Sequence, residues 1–341
     1  RCLQRNRCRL QHGSMRALSD TPRGGPWRGG AGVVLMAIVV FAACAPVRRI
    51  EPGSTRLAQM DFAREVKNFG KTLGIEPTEA LSRPGNGDSA LSMLWLWLQR
   101  SGTLALKTPI DIRLAIGFNT ERERLKIEQV YRVDGYSVYY RQGNEFADAR
   151  SVVTLGFADE PLIRRVKVIL HEDLHGDVNF ALPWEIEEAI VTPLGSLAAA
   201  EYFRQKGDEK AWKSALASVA QEREWSRELL ALAAEAEKIF AALPVDEAKE
   251  KILDRLSDYP SYRAQFERQI RGQHGPTVVE AKLSHDLAYY RFFDRIAELA
   301  EKAPSLRVLI ADLKTLPANA DLAEAEKFLQ SLSSRYLTAA E

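Results

Sequence analysis

The sequence predicts an α+β fold that is predominantly helical, with a small mixed β-sheet ahead of a helix that carries two histidines. Three short segments rich in β-branched and aromatic residues, at 110–118, 136–141 and 151–157, predict the strands. From about residue 186 onward, apolar residues recur at helical spacing between Pro, Gly and Asp residues. With 341 residues, the chain is long enough to bury a sizeable core.

The segments ahead of the predicted sheet favour helices. Residues 55–73 place apolar side chains on one helical face. Thr78 is expected to cap a short second helix. The run LSMLWLWLQR, residues 91–100, is apolar nearly all round and predicts a buried helix.

Helices also connect and follow the predicted strands. Thr120 and Glu123 form a capping box for a helix that is expected to end near residue 132, before the second strand. After the third strand, apolar residues from Leu162 to Leu174 fall on one helical face. The remaining helices are predicted at 186–205, 208–242, 246–257, 262–271, 277–301, 304–315 and 320–336.

The N-terminal part has the composition of a targeting segment. Seven Arg and one Asp precede Cys44, and the apolar run at residues 31–43 is too short to cross a bilayer comfortably. The small residues before Cys44 resemble a bacterial lipoprotein signal, in which the cysteine is lipidated; a plain anchor or an ordinary secretory signal is the alternative. We expect a signal segment at 1–43, a lipid-anchored tether at 44–54 and a catalytic domain at 55–341.

Charge and cysteine content exclude several kinds of site. Without the residues before Cys44, 40 basic and 45 acidic side chains remain, a net charge of −5. A mildly acidic body without a basic stripe argues against nucleic acid as a partner. Cys2 and Cys8 also precede Cys44, so the rest of the chain has neither a disulfide nor a cysteine metal site. Histidine and carboxylate side chains must hold any metal.

The predicted helix after the third strand continues into the motif HEDLH, residues 171–175. His171 and His175 project from the same side of a helix, where both imidazoles can contact one zinc ion at about 2.0–2.1 Å. Glu172 is expected to act as the general base that activates a water bound to this zinc. The alternative is a solvated helix turn whose histidine spacing arose by chance.

A catalytic zinc site needs a third protein ligand and one open position. The next helix begins with WEIEEAI, which offers carboxylates at Glu185, Glu187 and Glu188. Glu188 is the predicted third ligand. Glu185, one turn earlier, is the alternative, and a water or a more distant residue is the remaining one. Pro193 is expected to kink or end this helix. The sequence thus predicts one zinc ion between two consecutive helices.

HEDLH followed by Glu188, thirteen residues after His175, resembles the gluzincin arrangement of HExxH with a downstream Glu ligand. More narrowly, the chain is similar to a bacterial family of zinc aminopeptidases with a lipoprotein-type N-terminus, which has HELAH and then NESFA at the same separation. The likeness covers most of residues 110–317, with similar segments at 117–140, 151–162 and 281–299. The chain departs from the family at Glu187, where the family has Asn, and at Asp173, where it has an apolar residue.

This resemblance implies a gluzincin-like catalytic core. Residues 55–180 would hold helices, the small sheet and the HExxH helix, and residues 181–341 the helical part. It implies zinc-dependent hydrolysis of peptide bonds, aminopeptidase-like, on the periplasmic side of the bacterial envelope, with the outer membrane as one candidate. By the family layout Tyr289 stabilises the oxyanion, with Tyr290 and His285 as rivals.

Several alternatives stay open on sequence grounds. The chain could be a lipoprotein that binds metal without catalysis and serves as a binding or structural module, or a metal-dependent hydrolase of another amide; the presence of Glu172 favours the peptidase. Exopeptidase and endopeptidase are not separated, although Glu185 or Glu187 could bind a free amine. Residues 151–157 are expected to hold an extended peptide by strand addition beside the metal. The oligomeric state is open.

Overall fold

A computed structural model of the chain describes most of residues 54–338. The predicted signal segment, Cys44 and nearly all of the tether lie outside the described residues, as does most of the helix predicted at 120–132. No helix within the described ranges is both long enough and apolar enough to cross a membrane. The described residues are 54–85, 93–107, 109–118, 125–126, 129–130, 135–143, 147, 149–178 and 182–338.

The sheet is antiparallel rather than mixed. It contains β1 (Met93–Arg100), β2 (Ile112–Phe118) and β3 (Tyr136–Gly143) in the order β2-β1-β3. The predictions of strands for β2 and β3 are confirmed. The three-stranded sheet and the many helices are compatible with the predicted α+β, predominantly helical class.

The prediction of a buried helix at residues 91–100 is wrong, because this segment forms the central strand β1. Leu94, Leu96 and Leu98 belong to an apolar cluster on one face, whereas Trp97 packs into a second cluster on the other. A strand whose two faces are both covered has no polar alternation to distinguish it from a buried helix.

The third strand predicted at residues 151–157 is also wrong. Only Val153 forms a bridge, parallel to Pro84, and the Thr154 side chain accepts a hydrogen bond from the Phe157 amide. This cap starts the short helix α2 (Leu155–Asp159). The hypothesis that this segment binds a peptide by strand addition therefore loses its basis. Thr78 caps no helix, because the residues after it, 79–85, form turns and bends and no helix.

Helical periodicity predicted the remaining elements well. The predicted helix at 277–301 is broken between Tyr290 and Phe293. At this break the Ser226 hydroxyl donates to the Tyr290 carbonyl at 2.6 Å and accepts from the Asp294 amide at 3.3 Å. The helices are α1 (Ser54–Thr72), α3 (Leu162–Val178), α4 (Trp184–Lys206), α5 (Glu209–Ala242), α6 (Val245–Arg255) with a 3-10 turn at Leu256–Asp258, α7 (Pro260–Gln269), α8 (Gly275–Tyr290), α9 (Phe293–Lys302), α10 (Leu306–Leu313) and α11 (Leu322–Thr338).

Helix α4 is the central element of the helical part. Its residues 186–196 are all buried, and it packs against α3, α5 and α8. The helix continues through Pro193 to Lys206, so Pro193 does not end it. Because this stretch of α4 is buried, its polar side chains contact neighbouring helices. Two of them are the adjacent glutamates Glu187 and Glu188.

Candidate metal centre

Two helices bring three potential metal ligands together. His171 and His175 project from α3, and Glu188 projects from α4. The two histidine Nε2 atoms lie 3.2 Å apart, and Glu188 Oε2 lies 3.5 Å from the His171 Nε2 and 3.6 Å from the His175 Nε2. One metal ion can therefore contact all three side chains, as the sequence predicted.

Close packing of α3 on α4 sets this separation. A Cβ atom placed on Gly195 of α4 would lie 3.1 Å from His171 Cβ and 3.4 Å from the Lys167 carbonyl oxygen. Distances of 3.0–3.4 Å are shorter than nine in ten of the contacts that Cβ atoms make in proteins. The missing side chain at Gly195 allows the backbone of α4 to approach α3 directly beside the first histidine.

Hydrogen bonds also hold the face of α3 that points away from the three potential ligands. Asp173, inside the HEDLH motif, is fully buried and accepts hydrogen bonds from Lys67 of α1 and from the Thr78 amide and hydroxyl, both at 2.9 Å. The carboxylate thus ties the motif to α1 and to the segment after it. This contact accounts for a charged residue where the resembling family has an apolar one.

The two carboxylates proposed as third ligand point to different partners. Glu185 Oε1 accepts a hydrogen bond from the Ile110 amide at 2.9 Å and takes no part in the cluster. Glu188 Oε1 accepts from the Trp184 indole at 3.0 Å. Glu188 Oε2 is buried with no hydrogen-bond donor in the described part of the chain. A carboxylate oxygen that faces two imidazoles without a donor fits a metal ligand.

Glu187 has a role that the sequence reasoning did not assign. It is 5% exposed, and its carboxylate hydrogen-bonds with the Nδ1 atom of His175. Because metal-binding histidines commonly donate their second ring N–H to a carboxylate, Glu187 lies where such an orienting group belongs. A signal was present in the sequence: adjacent residues on a helix point about 100° apart, so Glu187 and Glu188 can reach two sides of one imidazole.

The electrostatics of the cluster favour a cation. Burial lowers the pKa of His171. Burial also opposes protonation of His175, yet the carboxylates of Glu188 and Glu187 raise its pKa well above the ordinary value. The two histidines hold the pKa of Glu188 well below its usual range despite burial. The carboxylates of Glu187 and Glu188 thus favour a positive charge at this cluster.

The other predicted catalytic residues lie around the same cavity, whose volume is about 520 Å³. Glu172 is buried and lines the cavity next to the ligands, and Tyr289 and Tyr290 line it from α8. Burial raises the pKa of Tyr289, and the charges of Glu188 and Glu172 raise it further. His285 is not among the lining residues.

His285 instead belongs to the packed interior of α8. Its Nδ1 atom hydrogen-bonds to Asp286 Oδ1 at 2.7 Å, and its ring lies 4.7 Å from the Trp97 ring and 4.9 Å from the Tyr289 ring. Of the three residues considered as oxyanion donor, the geometry thus brings Tyr289 and Tyr290 to the cavity and places His285 behind them.

Comparison of the chain with protein-family models, with curated proteins and with solved structures gives no match. The resemblance to zinc aminopeptidases therefore stays a prediction from the motif and the similar segments. The arrangement of His171, His175 and Glu188 is the observation on which a functional conclusion can be built.

Proposed function

We propose that this protein is a zinc-dependent peptidase whose metal is held by His171, His175 and Glu188. The spacing of the three ligand atoms, 3.2–3.6 Å, carries the proposal. Tetrahedral zinc with bonds of about 2.0–2.1 Å separates its ligand atoms by about 3.3–3.4 Å. Two imidazoles and one carboxylate are a common ligand set of catalytic zinc and leave a fourth position open.

The residues around the ligands supply the rest of the chemistry. When bound, zinc provides a Lewis acid that polarises a carbonyl and lowers the pKa of water. Glu172 lines the cavity beside the ligands, where its carboxylate takes the proton of the attacking water and passes it to the leaving amine. Tyr289 keeps its hydroxyl proton because its pKa is raised, and it donates a hydrogen bond to the oxyanion.

The cavity suits a peptide segment. Its volume of about 520 Å³ lies within the range of typical ligand sites, about 300–1,000 Å³. Trp95, Trp97 and Trp184 provide an aromatic wall for substrate side chains. We further propose that a lipid on Cys44 holds the enzyme at the periplasmic side of the bacterial envelope, which rests on the N-terminal sequence alone.

Turnover by the zinc-loaded full-length chain and by Glu172→Gln tests the proposal. A pool of synthetic peptides, followed by mass spectrometry, should show cleavage that falls by roughly 10²–10⁴-fold in Glu172→Gln, since the base is lost. Glu185→Gln is the matched control and should cleave normally, because an amide oxygen can still accept from the Ile110 amide. Zinc bound by both proteins without turnover in either would contradict the peptidase and favour a non-catalytic metal-binding lipoprotein. Equal turnover in both would contradict the role of Glu172 as the base.

A further inference from the structure

The wall of the cavity opposite the metal ligands is one face of the β-sheet. In the strand register, Trp97 of β1 pairs with Arg113 of β2, and Trp95 of β1 pairs with Arg141 of β3. Directly paired residues point to the same side of a sheet. All four residues line the cavity, so two arginines on the outer strands flank two tryptophans on the central one.

Arg113 is held in a manner suited to binding an anion. Its guanidinium carbon lies 4.2 Å from the centroid of the Trp184 ring, and it also lies over Trp95 and Trp97. Among the described residues, no carboxylate lies within ion-pair distance of this exposed side chain. A guanidinium held over aromatic rings can still donate two parallel hydrogen bonds to a carboxylate.

Each arginine lies over an aromatic side chain that lines the cavity with the metal ligands. Trp184, on which Arg113 stacks, donates its indole N–H to Glu188 Oε1 at 3.0 Å. The guanidinium of Arg141 lies 5.7 Å from the centroid of the Tyr289 ring. A substrate carboxylate bound by these arginines would therefore lie close to the bond that the proposed peptidase cleaves.

The acidic side chains that line the cavity each have a partner or a proposed role in the metal centre. Of the carboxylates among the described lining residues, Glu188 faces the histidine nitrogens, Glu187 bonds to His175, and Glu172 is the proposed base. Glu185 accepts from the Ile110 amide. The amine-binding role expected for Glu185 or Glu187 is therefore not supported. Five basic side chains line the same cavity: Arg113, Arg141, Arg150, Arg164 and Lys167. Arg164 pairs with Glu160 and Lys167 with Glu222, whereas Arg113 lies over the tryptophan rings.

We propose that Arg113 and Arg141 bind a carboxylate of the substrate next to the scissile peptide bond. The inference rests on the proposed peptidase function and narrows its substrates to peptides with an anionic group at this position. A C-terminal carboxylate and the side chain of Asp or Glu share this chemistry. The first source would make the enzyme a carboxypeptidase, and the second an endopeptidase with acidic specificity.

Binding to zinc-loaded, full-length Glu172→Gln tests the inference without requiring turnover. Isothermal titration compares oligoalanine with a free C-terminus, the same peptide as an amide, and amidated peptides that carry one Glu or one Gln. Because charge-assisted hydrogen bonds are strong, we expect an anionic probe to bind at least about ten-fold more tightly than its neutral counterpart. The additional change Arg113→Gln should bring this ratio close to one, and Arg113→Lys should leave an intermediate ratio.

Arg263→Gln, introduced into the same protein, is the matched control. Arg263 is exposed on α7, pairs with Glu267 and does not line the cavity, so the ratio should be unchanged. Preference for the free C-terminus alone identifies a carboxypeptidase, and preference for Glu alone identifies the endopeptidase. Equal binding of charged and neutral probes, or an unchanged ratio in Arg113→Gln with native circular dichroism, would overturn the inference.

Cleavage of the same peptides by the zinc-loaded chain with Glu172 intact separates this inference from the peptidase itself. Turnover of charged and neutral peptides at equal rates contradicts the carboxylate site and leaves the peptidase standing. Carboxylate-dependent binding that disappears in Arg113→Gln, without cleavage of any peptide, contradicts the peptidase and leaves the binding site standing. Arg141→Gln provides a second variant for both measurements.

Discussion

The Nδ1–H group of His175 donates a hydrogen bond to the carboxylate of Glu187, and the Nε2 atom of the same ring faces Glu188. An ionised carboxylate can only accept, so this contact places a proton on Nδ1. Once a metal displaces any proton from Nε2, that atom presents its lone pair to the ion. Glu187 therefore orients the second ligand of the proposed zinc site without touching the metal.

Replacing Glu187 with Ala should weaken zinc binding about 10–100-fold, because the imidazole loses the group that fixes its orientation and basicity. Glu187→Gln should lose less, since an amide oxygen still accepts from Nδ1. Competition titration with a chromogenic chelator measures both affinities. Glu185→Gln, two residues earlier on the same helix, should bind zinc like the unmodified chain. Unaltered affinity in Glu187→Ala would show that the contact does not support the metal site.

Gly195→Ala should destabilise the protein and weaken zinc binding together. The added Cβ would meet the Cβ and Cα atoms of His171 and the Lys167 carbonyl, and none of these can rotate away. Overpacking of this kind costs about 1–3 kcal/mol, more than the roughly 0.5–1 kcal/mol that Ala gains over Gly in a helix. Urea unfolding of the metal-free chain measures the net loss, and chelator competition measures the affinity.

Gly275→Ala is the control for this change. Its added Cβ would meet only the methyl ends of the flexible Leu253 side chain, which can move, at the start of α8 and away from the ligands. Its unfolding free energy and zinc affinity should therefore stay close to those of the unmodified chain. Equal stability and affinity in Gly195→Ala and Gly275→Ala would mean that the close approach of α3 and α4 does not set the ligand geometry.

His285 should make the protein less stable as pH falls. Burial lowers its pKa to about 4 even though Asp286 opposes this shift, whereas the unfolded chain has an ordinary pKa near 6.5. Between about pH 6.5 and 4 the unfolded state binds more protons, so the free energy of unfolding decreases by up to about 1.4 kcal/mol per pH unit. Urea unfolding at several pH values measures this slope.

His285→Gln isolates the contribution of this one histidine to the pH dependence. The glutamine cannot titrate, so the difference in unfolding free energy between the variant and the unmodified chain should change steadily across this window and level off above about pH 7. A difference that is constant from pH 7 to pH 4 would contradict the depressed pKa. Taking the difference removes the contributions of other titrating groups that the two proteins share.

The helical part and the motif were predictable because their signals are local. The spacing of apolar residues in α3 depends on one helix alone, and so does the projection of His171 and His175 from one side. Glu188 followed from the need for a third ligand on the next helix. The choice between Glu188 and Glu185 was not local, since it depends on the Ile110 amide, which is 75 residues away along the chain.

The errors arose where long-range contacts decide the structure. The sequence of β1 predicts a helix when it is taken alone. In the structure β2 and β3 pair with its two edges, and apolar clusters cover its two faces. Residues 151–154 were predicted as a strand, yet within the described ranges their backbone pairs only with residues 81–85, and Thr154 then starts a helix. Arg113 and Arg141 carry no sequence signal of their own, because only the strand register places them on the same face of the sheet.

Zinc content per chain tests the central claim most directly. After dialysis against zinc and then against metal-free buffer, mass spectrometry of the metal should give about one zinc per full-length chain for the unmodified protein and for Glu172→Gln. His171→Ala and Glu188→Ala should retain far less, because each loses one of three ligands. An unmodified chain that retains no zinc, or variants that retain as much as the unmodified chain, would contradict a metal centre at His171, His175 and Glu188.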